Sequence, residues 1–124
     1  MPARVVVVLS EPGLAESVAS SIQELGHEAA PLTDSMSALH ELETAARIEL
    51  VVTGAEFPSG KPNGVALALM ARRRRPGIKV LLVGRPELQS YIDGAGTFVP
   101  SPVTPLQLAT AAVDMLDHGD RNSD

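Results

Sequence analysis

The sequence contains no cysteine and no tryptophan, and its aromatic residues are Phe57, Tyr91 and Phe98. Without thiols there can be no disulfide, no thiolate nucleophile and no Cys-ligated zinc, and a cytoplasmic location is the natural expectation. With so few aromatics, any core must be aliphatic, built from Val, Leu, Ile, Ala and Met. Long apolar runs are also missing: residues 5–9 are far too short for a signal segment or a membrane span and read better as a strand, so no membrane partner is expected. Positive charge is scarce, 10 Lys and Arg against 15 Asp and Glu for a net charge of −5. That balance works against general nucleic-acid binding, which needs a positive surface to displace counterions from phosphates. Aspartate is absent before Asp34 and between Asp34 and Asp93, and lysine is absent after Lys79.

What is present suits one ordinary domain. The chain has 124 residues, 44% of them hydrophobic, enough to fill a core. A single domain over 1–117 is expected, followed by a polar tail at 118–124.

Residues 4–10 form an apolar run, Arg-Val-Val-Val-Val-Leu-Ser, without the alternation of a half-exposed strand, and so read as a strand buried on both faces. Pro12 fits the first turn of a helix, and Leu14, Val18, Ile22 and Leu25 make one apolar stripe that Gly26 can end. The stretch from His27 to Leu32 is a weaker strand, and Pro31 assigns it to a sheet edge. Asp34 or Ser35 can cap a second helix with Met36, Leu39 and Leu42 on its inner side. Residues 48–53 are another buried strand, closed by a loop from Pro58 to Gly64. Asn63 can cap a third helix, with Val65, Leu69 and Met70 inward, which Pro76-Gly77 ends. Residues 78–83 are a fourth strand, 86–93 leave room for about two helical turns, and 97–99 a short fifth strand. Thr104-Pro105 opens the last helix, with Leu106, Ala109, Val113 and Leu116 inward.

Strands alternating with helices in this way call for an α/β fold: a doubly wound, flavodoxin-like sheet of five parallel strands with helices on both faces. The order 2-1-3-4-5 suits a weak second strand at the edge. The first and fifth helices then share one face, and the second, third and shortened fourth share the other. Ligands of such sheets bind beyond the carboxyl ends of the strands, here the loop from Thr53 to Pro58.

Four landmarks, in order and covering nearly the whole chain, resemble the receiver domains of bacterial two-component response regulators. Ser10-Glu-Pro resembles the tail of that family's acidic turn after the first strand. Glu49-Leu-Val-Val-Thr, Phe57-Pro58 and Gly64 resemble its phosphoacceptor strand and loop. Pro76-Gly-Ile-Lys-Val-Leu-Leu-Val resembles the run into its fourth strand. Gly94-Ala-Gly-Thr-Phe-Val-Pro-Ser-Pro-Val-Thr-Pro-Leu-Gln-Leu resembles the passage through its fifth strand, and the resemblance implies a cis peptide at Ser101-Pro102. It also implies a site that this chain lacks. The family's two Mg²⁺-binding acids, its phosphoacceptor Asp, the Thr or Ser ending its fourth strand and the Lys after its fifth match Leu9, Ser10, Gly54, Gly84 and Ser101. The gaps in the Asp and Lys distribution mean that no shift of register restores the set.

Phosphoryl transfer needs a nucleophile and cations to offset the charge on the transferred group. Gly54 supplies no nucleophile, and Leu9 and Ser10 supply no carboxylate for Mg²⁺. The expectation is therefore a pseudo-receiver: not an enzyme, without catalytic residues, cofactor or metal, acting as an adaptor. Its partner would be a histidine kinase, another response regulator or a second copy of itself in a homodimer. The alternative is a small-ligand or enzymatic domain on a flavodoxin-like scaffold, which would need a phosphate-binding glycine loop where Glu11-Pro-Gly stands. Glu11 and Glu56 read first as solvated loop residues and second as a cation pair. Thr53 and Ser10 lack an adjacent base and read as strand-end hydroxyls. Arg72 to Arg75 read as solvated charges complementing a helix dipole rather than as a nucleic-acid patch. The resemblance points to Phe98 as an aromatic that reorients in receivers, and with it to a partner surface of Phe98, Val99, Gln107 and Thr110.

Overall fold

The structure, a computed structural model, describes residues 3–45, 47–57, 63–92 and 94–118. Its elements alternate: β1 (Arg4–Val8), α1 (Pro12–Glu24), β2 (Glu28–Leu32), α2 (Ser35–Thr44), β3 (Leu50–Gly54), α3 (Gly64–Arg74), β4 (Lys79–Gly84), a 3₁₀ turn (Pro86–Leu88), α4 (Gln89–Ile92), β5 (Thr97–Pro100) and α5 (Pro105–His118). The sheet has the expected order, β2-β1-β3-β4-β5, with every neighbouring pair parallel. The loop at 58–62 and the tail at 119–124 lie outside the described residues.

Strand alternation sorts the core into two layers. Val6, Val8, Val51, Val80 and Leu82 face α2, α3 and α4, while Val5, Val7, Leu50, Val52 and Leu81 face α1 and α5. All four β1 valines are fully buried, each a side chain whose removal from water contributes about 1.5–3 kcal/mol. Among the described aromatic residues, Phe57 and Phe98 only border this core and Tyr91 is exposed.

Helix ends follow local chemistry. The Asp34 carboxylate accepts from the Ser37 N–H at 2.8 Å, Asn63 caps Ala66 at 2.8 Å, and Pro12 stands at the start of α1. At α5, Thr104 Oγ1 accepts from the Gln107 N–H at 3.0 Å while Gln107 Oε1 accepts from the Thr104 N–H at 2.9 Å, a reciprocal capping box.

The inward faces of three helices differ from the sequence reading. In α3 the buried residues are Gly64, Leu67, Ala68 and Ala71, and Leu69 is 55% exposed. Residues 65–71 are all apolar, so periodicity has no polar side to choose against, and the smaller Ala68 and Ala71 let the helix lie closer to the sheet. In α5 the stripe is Leu108, Ala109 and Ala112, with Leu106 exposed in the first turn beside the cap. Met36 is exposed on α2, where Ser35, Ala38 and Leu42 turn inward, and Leu25 is exposed just past the end of α1.

The arginine run is more than solvated charge. Arg75 Nε and Nη2 donate to the Leu42 carbonyl at 3.1 and 3.0 Å, and Nη2 also reaches the Ala45 carbonyl, so one guanidinium closes the C-terminus of α2. Arg74 pairs with Glu43 at 2.8 Å, and Arg72 donates to the Gly94 carbonyl at 3.0 Å. The run ties α3 to its neighbours, using donors where a helix leaves carbonyls unpaired.

Among the described glycines, Gly64 has the least room for a side chain. A β-carbon there would lie 1.9 Å from the Gly54 carbonyl oxygen, while the Gly64 N–H donates to the Ala55 carbonyl at 3.0 Å. Gly64→Ala must therefore separate α3 from β3, and urea denaturation should show a loss of about 1–3 kcal/mol or more.

Candidate functional site

The register brings the strand ends together. Val8 lies opposite Thr53, Gly54 opposite Val83, and Gly84 opposite Pro100, so the loops after β1, β3, β4 and β5 converge on one edge. Between them is a cleft of about 290 Å³ whose lining includes Leu9, Ser10, Gly54, Gly84 and Ser101. The fold thus gathers all five positions singled out from the sequence.

Their chemistry is apolar at the floor. Leu9 is buried, packs in the α1–α5 layer and lies within reach of Gly54, where a β-carbon would meet the Leu9 Cδ2 at 3.8 Å. Leu14, Ala55 and Val83 complete the apolar lining. Ser10 is exposed, and the Ser101 N–H donates to the Gly84 carbonyl at 2.7 Å. Thr53 is fully buried and its hydroxyl donates to the Gly54 carbonyl at 3.0 Å, the strand-end role. Ser101-Pro102 is cis, as the resemblance implied.

Charge sits only on the rim, and its arrangement was not legible beforehand. Arg85, directly after β4, donates from Nε and Nη2 to the two carboxylate oxygens of Glu56 at 3.1 and 3.0 Å. The hydrogen bonds from Arg85 and the charge of Glu56 raise the guanidinium pKa further, so the cation is permanent. Both oxygens of Glu56 are committed to this fork. Among the described residues no group of three or more His, Cys, Asp or Glu is placed to hold a metal ion. Sequence reasoning noted Glu56 but missed Arg85, because its partner lies 29 residues away in another loop.

The candidate partner residues are spread over β5 and α5. Phe98 packs toward the α2–α3–α4 layer and Val99 toward the α1–α5 layer, on opposite sides of the edge strand β5. Thr110 is exposed, and the exposed Gln107 uses its amide in the α5 cap. A second cleft, about 300 Å³, opens between the start of α3 and α4, over Ala55, Val65, Leu88 and Ile92. At the start of α1, the Glu11 side chain makes no capping bond, and its carboxylate would repel an anion approaching the helix N-terminus. No helix among the described residues is long and apolar enough to cross a membrane.

No family model matches the chain. Solved structures do resemble it over nearly its whole length. A response regulator receiver protein from Sinorhizobium medicae WSM419 superposes with a TM-score of 0.81 at 23% identity, covering 96% of this chain and 98% of that one. A CheY-like response regulator receiver domain protein from Methanospirillum hungatei JF-1 gives 0.82 at 20% identity, covering 98% and 99%. The signal receiver domain of an HD domain-containing protein from Pseudomonas fluorescens Pf-5 gives 0.80 at 19% identity, covering all of both chains. At these identities the likeness establishes the fold.

The geometry separates the glycines of the site. At Gly54 a β-carbon meets only ordinary contacts, the nearest being the Glu56 carbonyl oxygen at 3.6 Å. Gly54→Ala should therefore change stability by less than about 1 kcal/mol in the same denaturation experiment, in contrast to Gly64→Ala.

Proposed function

We propose that this chain is a pseudo-receiver of two-component signalling: a cytoplasmic, non-enzymatic adaptor module that acts through protein contacts and is not phosphorylated on Asp. The observation that carries the reading is the cleft itself. Its position at the carboxyl ends of the strands is where such sheets bind ligands, yet its floor is apolar and Leu9, Ser10, Gly54, Gly84 and Ser101 supply neither a carboxylate nor an amine. Transfer of a phosphoryl group there would lack both its acceptor and its metal ligands. The receiver-like fold supports the signalling context, and the absence of a nucleophile supports the non-catalytic role. The small-ligand or enzymatic alternative is weakened by Glu11, which occupies the place where a phosphate-binding loop would need neutral donors.

The partner on this reading is a protein: a histidine kinase, another response regulator, or a second copy in a homodimer. The contact is assigned to the β5 edge with α4 and α5, around Phe98, Val99, Gln107 and Thr110. Two features support this: α4 has only four residues beside β5, and exposed apolar area at a sheet edge tends to be used. Neither nucleic acid nor membrane belongs to the proposal, and the domain is taken to span 1–117.

Incubation with acetyl phosphate and Mg²⁺, read by intact mass, should show no phosphoryl adduct. A stoichiometric, Mg²⁺-dependent adduct would overturn the reading.

The surface assignment has its own test. Phe98→Ala should weaken association by about 1–3 kcal/mol in sedimentation or titration measurements, since aromatic anchors dominate contacts. Unchanged association, with loss on substituting the α1 residue Glu16, would move the contact to α1; Gln23 on the same helix is already bonded to the Ala29 carbonyl.

A further inference from the structure

The N-terminal ends of the strands carry charges of both signs, remote from the loops that meet beyond their carboxyl ends. Arg4 begins β1, Glu28 begins β2, Glu41 and Thr44 lie in the last turn of α2 with Ala45 just after it, and Arg47 precedes β3. Together they line a cleft of about 450 Å³ in which Ala45 is the one nonpolar residue.

Arg4 is loosely held there. Arg47, Arg74 and Arg85 each meet a carboxylate oxygen, at 2.6, 2.8 and 3.0 Å, whereas the Arg4 guanidinium reaches Glu41 at 3.4 Å and Glu28 at 3.7 Å. A charge-assisted N–H···O bond is about 2.7–2.9 Å long, so neither glutamate satisfies it. Its Nε is buried and has no hydrogen-bond partner among the described residues, a cost that native proteins seldom leave standing.

We infer that this cleft is a binding site for a small zwitterion, an α-amino acid or short peptide with a free carboxylate and a free ammonium. Arg4 and Arg47 take the carboxylate. Arg47 is fixed by Glu49 at 2.6 Å, and the other oxygen of Glu49 accepts from the Arg4 backbone N–H at 2.6 Å, so one carboxylate holds both arginine residues on a common frame. Glu28 and Glu41 take the ammonium. Thr44 Oγ1, whose proton goes to the His40 carbonyl at 2.8 Å, keeps lone pairs to accept from it. A simple anion would leave the two glutamates uncompensated, and a simple cation would meet two guanidinium groups; a ligand carrying both signs answers all four. The volume falls within the range of small-molecule sites, about 300–1,000 Å³. The site does not depend on the pseudo-receiver reading, which concerns the other end of the strands.

Titration of the ¹⁵N-labelled full chain with the standard L-amino acids, one at a time, reads the site by NMR. At least one should give saturable shifts at the Arg4 side-chain Nε–H and at the amides of Glu28, Thr44 and Arg47. Its N-acetyl and its C-terminal amide derivatives should each bind weaker by about tenfold or more, the effect of one lost charged contact. Arg4→Gln should weaken the free amino acid, and Glu41→Gln should weaken it while leaving the N-acetyl derivative, which has no ammonium, unaffected; the second variant serves if the first fails to fold. No saturable shift with any amino acid, shifts confined to the cleft of Leu9 and Gly54, or an N-acetyl derivative that binds as tightly as its parent would overturn the assignment. Those outcomes leave the pseudo-receiver reading standing, whereas a phosphoryl adduct overturns that reading and leaves the zwitterion site intact.

Discussion

The structure depends on a sheet that must be covered on both faces. In β1, β3 and β4 the central side chains are apolar on both sides, and Val5 to Val8, Leu50 to Val52 and Leu81 to Leu82 are all fully buried. A strand of this kind has no face that water can wet, so each crossover must return as a helix, and right-handed crossovers divide the helices between the two faces. Because each helix runs back against the strands, helix carbonyl ends collect at one edge of the sheet and helix N-termini at the other. The two edges therefore differ in electrostatic character before any side chain is considered.

The basic residues answer that polarity. Arg75 covers the carbonyls of Leu42 and Ala45 at the end of α2, and Lys79 donates to the Met115 carbonyl of α5 at 3.1 Å. At the same edge Arg4 lies between Glu28 and Glu41, and Arg47 pairs with Glu49. Cations that look like a patch along the chain are distributed over helix ends and carboxylates in space. This accounts for a run of arginines in an acidic chain without invoking a polyanion.

At the opposite end of the strands the loops meet over an apolar floor. Leu9 and Gly54 contribute no carboxylate there, and on the rim Glu56 is paired with Arg85 while Glu11 stands at the start of α1. The loops that frame the cleft are bonded to one another: the Ala55 N–H donates to the Val83 carbonyl at 2.8 Å and the Ser101 N–H to the Gly84 carbonyl at 2.7 Å.

The sequence by itself determined the element types, the strand order and the caps at Asn63 and Thr104, and it narrowed the cap of α2 to Asp34 or Ser35. The caps are local, and the elements and their order follow from unbroken apolar runs, whose burial admits few arrangements; the five positions of the cleft lining came from the resemblance to receiver domains. Tertiary structure alone decided which stripe of α3 turned inward, since residues 65–71 are uniformly apolar and only packing against the sheet distinguishes Leu67 from Leu69. It also decided that Arg75 closes α2 and that Arg85 grips Glu56. Each of these depends on atoms far apart in sequence being brought within bonding distance, and no spacing along the chain encodes that distance.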